Sequence, residues 1–403
     1  MQQRLVIIGA GFAGMYAALS AARLRGLNNV SPDALEIVVV APEPTLVVRP
    51  RLYESQPETL SAPLEAVFEA VDVQYVRGSA TSFDTKARSV EVSAPDGSVS
   101  TLRYDRLVLA SGSRLFRPDI PGLAQYGFSV DQLKDAVTLD RHLHALATRP
   151  ASLARNTVVV AGGGFTGIET ATEMPARLRA ILGEDANIRV VIIDRNSVIA
   201  PDMGANARPV IESALRQLGI ETRLGAGVEA LDETGVTLNS GERIDSATVI
   251  WAAGIRAAPI TAQIPAARDN FGRLPVDRTL RVPEVPGVFA TGDAAKAACD
   301  DEGNYALMSC QHATRMGAFA GNNAAAELLG VPMAPYHQKT YVTCLDLGAA
   351  GALFTRGWTR DVELVGAVAK KTKREINTVW IYPPRPERDA ALASADPEHV
   401  TEV

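Results

Sequence analysis

Six glycines in this 403-residue chain fall into two sets whose spacing suits a phosphate ligand. Gly162, Gly164 and Gly167 repeat the interval G-x-G-x-x-G within Val158–Glu173, and Gly9, Gly11 and Gly14 repeat it near the start. In such a set the first glycine makes a tight turn and the second admits a pyrophosphate close to the backbone. The third lets a helix pack on a strand. The helix N-terminus then offers free N–H groups and the positive end of its dipole to the phosphates. One set alone also occurs in ordinary strand-to-helix turns. Two complete sets imply two dinucleotides, with Phe12, Ala13, Phe165 and Thr166 in the turns beside them.

These turns need a strand before them and a helix after, and both are legible. Leu5–Ile8 and Val158–Val160 read as buried strands, Met15–Arg23 and an Ala/Thr/Glu-rich run after Gly167 as helices. An acid ending the next strand of such a fold takes ribose hydroxyls. After Glu36–Val40 that position is Ala41, with Glu43 two residues on, either reaching the ribose or solvated in its loop. After Arg189–Ile193 it is Asp194, which suits a ribose 2′-OH and would repel a 2′-phosphate, favouring NADH over NADPH; the adjacent Arg195 argues the other way. Arg49 or Arg51 is placed to counter a pyrophosphate or to sit at the surface.

Small residues end two further buried strands, at Leu107–Ser113 and Ala247–Gly254, allowing backbone to pass close to a ligand. Ala110, Gly112, Ala253 and Gly254 are therefore expected at the cofactors, and Ala80 is a further candidate there. Residues 282–295 read as a strand delivering Gly292 and Asp293 to a helix start, where the acid either binds sugar-chain hydroxyls or caps the helix. Ala306–Leu329 reads as a helix, with strands near Lys339–Leu345 and Val362–Val368. Beyond them Val368, Thr372, Ile376 and Val379 share one helical face with most of the cations opposite. That face suits an interfacial membrane contact through residues 368–382 or, more commonly, packing on its own domain.

The whole chain carries a net charge of −6 and shows no basic stripe with interleaved aromatics, which argues against nucleic acid as a partner. Three cysteines without a C-x-x-C exclude a disulfide framework or a cysteine zinc site, and no metal site is expected. No apolar run reaches membrane-spanning length, and the first strand leaves no room for a signal peptide, so a cytoplasmic protein is expected.

With these motifs the chain resembles the two-dinucleotide-binding-domain flavoproteins, and among them the type II NADH dehydrogenases, over roughly residues 4–350. Ala161–Glu173 and Trp251–Gly254 carry most of the likeness, and Ala290–Ala294 is common to the wider superfamily. The resemblance implies an α/β protein with two Rossmann-like domains and a small C-terminal α+β domain. FAD would occupy residues 1–115 plus 255–335, NADH the inserted residues 116–254, and residues 336–403 would close the site. By the same resemblance Gly9–Gly14 hold the FAD pyrophosphate, Asp293 the ribityl chain, Gly162–Gly167 and Asp194 the NADH, and Ala253-Gly254 the nicotinamide. Glu169 matches the glutamate at the nicotinamide–flavin junction, or else only compensates the helix dipole. The family's quinone motif appears as Cys310–Gly317, with Gln311 kept and Arg315 in place of a second glutamine, a cation that would favour a more acidic acceptor or a stabilised semiquinone.

The expected activity is hydride transfer from NADH to FAD and onward to a quinone-like small molecule; a homodimer is left open. An NADH-dependent ferredoxin or rubredoxin reductase is the alternative enzyme, though no strongly basic docking face is visible. A sulfide:quinone oxidoreductase would need reactive cysteines before Cys299. A flavoprotein acting by NADH-controlled binding, like apoptosis-inducing factor, is the alternative from another class.

Overall fold

The computed structural model describes residues 2–338 and 340–399. Lys339, expected to open a strand, and residues 400–403 of the tail lie outside the described residues.

In chain order, Gln3–Ile8 (β1) runs into helix Phe12–Leu27 (α1), then Leu35–Ala41 (β2), Gln74–Arg77 (β3), Arg106–Leu109 (β4) and Ser113–Leu115 (β5). Gly127–Phe128 (β6) and Thr157–Ala161 (β7) precede helix Phe165–Leu182 (α2). Arg189–Asp194 (β8), Glu221–Leu224 (β9), Thr248–Trp251 (β10), Ile255–Ala257 (β11) and Val288–Ala290 (β12) follow. Helix Cys310–Leu329 (α3) leads to Val342–Asp346 (β13), Ala352–Arg356 (β14) and Asp361–Val365 (β15). Helices Gly366–Glu375 (α4) and Arg388–Ser394 (α5) close the chain.

Two five-stranded parallel sheets result, in the orders β12-β4-β1-β2-β3 and β6-β10-β7-β8-β9. Parallel strands are covered on both faces, so they read as unbroken apolar runs; every residue of β2 is buried. From β1 in one sheet and β7 in the other the chain crosses to one side and later returns on the other. The strand order therefore reverses at β1 and at β7, and ligands bind beyond the carboxyl ends of strands at such reversals. Both glycine turns lie at those ends.

α1 and α3 pack closely because small residues face each other. A Cβ on Gly317 or Gly321 would lie 2.3 Å from the Ala13 oxygen or 1.9 Å from the Ala17 oxygen. The antiparallel ribbon of β5 and β11 carries the chain between the two sheets, and β13, β14 and β15 form an antiparallel sheet against α4.

Three expectations for the C-terminal third are corrected. Gly292–Ala294 is a 3-10 turn and not a helix start, because Ala295-Lys296 pairs as a strand with Leu274-Pro275. The long helix begins at Cys310, capped by Ser309, whose Oγ accepts from the His312 N–H; residues 306–309 precede it. The buried stripe of the last basic segment is Ala369, Lys373 and Asn377, so Val368 and Val379 do not pack on their own domain, the commoner of the two expectations, but stand 62% and 65% exposed. Its final turn, Ile376–Trp380, widens to π-helical geometry.

Candidate active site

A cleft of about 1590 Å³ runs past both glycine turns to the C-terminal sheet. Gly9 and Gly162 open the two turns with φ of +110° and +127°, a conformation that L side chains rarely adopt. A Cβ on Gly14 would stand 1.8 Å from the Gly9 oxygen, and one on Gly167 the same distance from the Gly162 oxygen. Gly11 and Gly164 instead border the cleft with open space where a Cβ would point. Both turns are thus cradles with a free backbone face and a packed rear. Phe12, Ala13, Phe165, Thr166, Ala110, Gly112 and Gly254 also line the cleft. Gly14, Gly162, Gly167 and Gly292 lie behind its lining, where they shape the turns, and Ala253 packs behind Gly162. Ala80 does not reach the cleft, because it pairs with Val92 in a separate small antiparallel sheet.

The carboxylate of Asp194 lies against the second turn. Its Oδ2 accepts from the Gly163 N–H at 2.5 Å, and its Oδ1 from the N–H and Nδ2 of Asn196 at 2.7 and 2.8 Å. At the matching end of β2 Ala41 lines the cleft, and Glu43 stands at the rim, paired with Arg77 and largely exposed. Of the two candidate arginines, Arg49 lines the cleft, whereas Arg51 pairs with Glu54 at 2.7 Å and donates to the Tyr382 hydroxyl. Arg49 donates to Asp131 at 2.5 Å and to Ser113 Oγ at 3.2 Å, and stands 3.8 Å from Asp293. Ser113 in turn donates to Asp293 at 2.6 Å. Burial pushes the Asp293 carboxyl up, against the pull of Arg49.

Glu169 projects from α2 into the interior and meets Lys373 of α4 at 2.8 Å, and each side chain is about 5% exposed or less. The same carboxylate oxygen accepts from the Asp346 N–H at 3.0 Å, and Lys373 also donates to the Cys344 carbonyl at 2.9 Å. Burial pushes the Glu169 carboxyl up to about 7 while Lys373 restrains it. Burial opposes the Lys373 charge, but the carboxylate more than offsets this and holds the ammonium above its ordinary range. Asp346 is itself paired with Lys370 and accepts from the Tyr53 hydroxyl. Lys373 belongs to a run of cations expected mostly opposite the apolar face, and nothing in that run marks it as buried. Its place four residues after Ala369 and four before Asn377 was the available signal.

Gln311 lines the cleft in the first turn of α3, its Oε1 3.4 Å from the Val342 N–H. Arg315, one turn on, has its guanidinium turned to the chain: it donates to the carbonyls of His337 and His399 at 2.8 and 3.0 Å. These bonds tie the C-terminal segment to α3, a role not foreseen for this residue. Tyr341 and Trp358, stacked with centroids 4.5 Å apart, line the same end of the cleft and were missed in the sequence.

The model of the pyridine nucleotide-disulphide oxidoreductases matches residues 3–317. The chain belongs to that family. Within it, the chain is 47% identical over 397 residues to an NADH dehydrogenase-like protein of Mycobacterium tuberculosis, covering 98% of each. It is 28% identical to the demethylphylloquinone reductase NdbB of Synechocystis, covering 94% of this chain and 91% of that one. The structure of NDH2 from Plasmodium falciparum in complex with NADH superposes with a TM-score of 0.79 over 98% of both chains, at 15% identity, and shows the shared fold. The α/β architecture with two Rossmann-like sheets is thus that of the two-dinucleotide oxidoreductases, and the protein is an enzyme of the NADH dehydrogenase type.

Proposed function

We propose that this oxidoreductase takes hydride from NADH onto bound FAD and passes the electrons to a quinone. The observation that carries the reading is the cleft itself, which joins two packed glycine cradles to one buried, charge-paired carboxylate, Glu169. The first cradle, the open face of Gly11 and the buried Asp293 fit FAD, with residues 1–115 and 255–335 as its domain. The second cradle and Asp194 fit NADH in residues 116–254, and the described part of residues 336–399 lines the acceptor end. FAD, when bound, supplies the step between a two-electron donor and the acceptor.

The chain's own residues supply the rest. The cradles orient the two pyrophosphates and the helix ends face them. Glu169, with its carboxyl near neutrality, is placed to hold or release a proton at Oε1, where Lys373 stabilises the ionised form. Gln311, Tyr341 and Trp358 offer an amide and flat apolar faces to a planar acceptor, a setting supported by the name of the Synechocystis relative. Val368 and Val379, exposed beside Lys371 and Arg374, support peripheral contact with a membrane where a quinone would dissolve. Among the described residues no helix is long and apolar enough to cross a membrane.

The test is NADH oxidation by the FAD-loaded protein with a water-soluble naphthoquinone, in parallel with a ferredoxin. Turnover with the quinone supports the reading. Turnover confined to the carrier protein removes it.

A further inference from the structure

Arg114 of β5 and Arg256 of β11 stand directly opposite each other in the antiparallel ribbon. Like charges in that position repel, so the pairing needs a compensating group. Among the described residues neither guanidinium makes a close ion pair with a carboxylate; Asp131 and Asp135 act on Arg114 only from a distance, and Arg49 opposes them. Both line a cavity of about 450 Å³ that adjoins the main cleft and shares Arg114, Leu115 and Phe271 with it, within the size range of small-molecule sites. Arg117 and Arg268 line it too. Arg117 has only Asp135 at 3.5 Å, and Arg268 spends one nitrogen on backbone carbonyls. Asp269, the one acid in the lining, is already bound to Arg273 at 2.8 Å. A protein of net charge −6 has therefore gathered four arginines around one cavity.

The remaining walls are aromatic. Phe116 and Phe271 line the cavity while 38% and 51% exposed, and the Arg256 guanidinium lies 3.9 Å over the Phe116 ring. A guanidinium seated over a ring keeps N–H groups free for a phosphate oxyanion.

We infer that this cavity binds a nucleoside phosphate as a second ligand, distinct from the two dinucleotides of the main cleft. The arginines take the phosphates in bidentate hydrogen bonds, and the exposed phenylalanines take the base by stacking. The inference does not rest on the quinone reading, since it concerns binding and needs no acceptor.

The test is calorimetric titration of ADP into the FAD-loaded protein saturated with NAD⁺, so that both dinucleotide sites are filled. One equivalent of ADP is expected to bind. Arg256→Gln is expected to weaken it by roughly tenfold, as loss of a charge-assisted bond implies, with NAD⁺ affinity unchanged. The double variant R114Q/R256Q should weaken it further; should that variant fail to fold, the single exposed substitution still decides. No ADP binding beside NAD⁺, ADP that NAD⁺ displaces, or affinity unaltered by Arg256→Gln would each overturn the site. Pyrophosphate binding as tightly as ADP would overturn the assignment of a base to Phe116 and Phe271.

Discussion

Lys373 reaches Glu169 at 2.8 Å across the interface between the last third of the chain and the second Rossmann-like sheet. The pair lies where the cleft meets β13, and Asp346 of that strand donates its N–H to the same carboxylate oxygen. A charge pair this deep is weak evidence for stability, since desolvation of both ions opposes their attraction. Its position at the meeting of three elements points to chemistry instead.

The raised Glu169 carboxyl makes stability depend on pH in a definite direction. Between its ordinary value of 4.5 and about 7 the folded protein holds a proton that the unfolded chain has lost. Stability should therefore fall as pH rises through that window, by on the order of a few kcal/mol from this group. Glu169→Gln should flatten the dependence, as read by urea denaturation at pH 5, 6 and 7. An equally steep dependence in the variant would remove Glu169 as its source.

Lys373→Met leaves the carboxylate without its counter-charge, so its pKa should climb further. The pH profile of the oxidative half-reaction should show its inflection displaced upward relative to wild type, with NADH binding retained. A profile that does not move would mean that the pair takes no part in that step.

Gly14→Ala and Gly167→Ala each drive a Cβ to within 1.8 Å of a backbone oxygen. Overpacking of this kind costs about 1–3 kcal/mol or more. The first variant should purify with FAD largely lost, measured by its absorbance. The second should keep FAD but no longer be bleached by NADH. Reversed outcomes would exchange the two cradles.

Asp194 is predicted to set the choice of nicotinamide cofactor. Asp194→Ser removes the charge that opposes a 2′-phosphate while keeping an acceptor for the Gly163 N–H. The ratio of kcat/KM for NADPH to that for NADH should rise at least roughly tenfold, about 1.4 kcal/mol. A constant ratio would place the ribose elsewhere.

Val368 and Val379 offer a test of membrane contact that leaves the cleft intact. Flotation with anionic vesicles should carry the wild-type protein upward, and V368D/V379D should remain below. Wild type that stays with the soluble fraction would remove the contact.

What the sequence disclosed was local. Each glycine turn is fixed within a dozen residues, so spacing alone located Gly9–Gly14 and Gly162–Gly167 and the sheets that carry them. Asp194 was legible because it ends a strand at a fixed offset from its turn. Residues whose role depends on distant partners were not. Lys373 is buried only because α4 crosses β13 and faces α2, and Arg315, though it lines the cleft, spends its guanidinium on the carbonyls of His337 and His399. The Gly-Asp-Ala-Ala run at 292–295 looks like a helix start, yet it makes one 3-10 turn and its last residue, Ala295, pairs as a strand with Leu274. Tyr341 and Trp358 stack through tertiary placement that no periodicity announces.

The most direct measurement is anaerobic rapid mixing followed by flavin absorbance. The FAD-loaded protein is first reduced with one equivalent of NADH and then mixed with a soluble quinone analogue. Bleaching by NADH is expected, with recovery of the oxidised spectrum within milliseconds to seconds of adding quinone. A flavin that NADH bleaches and quinone leaves reduced would contradict it.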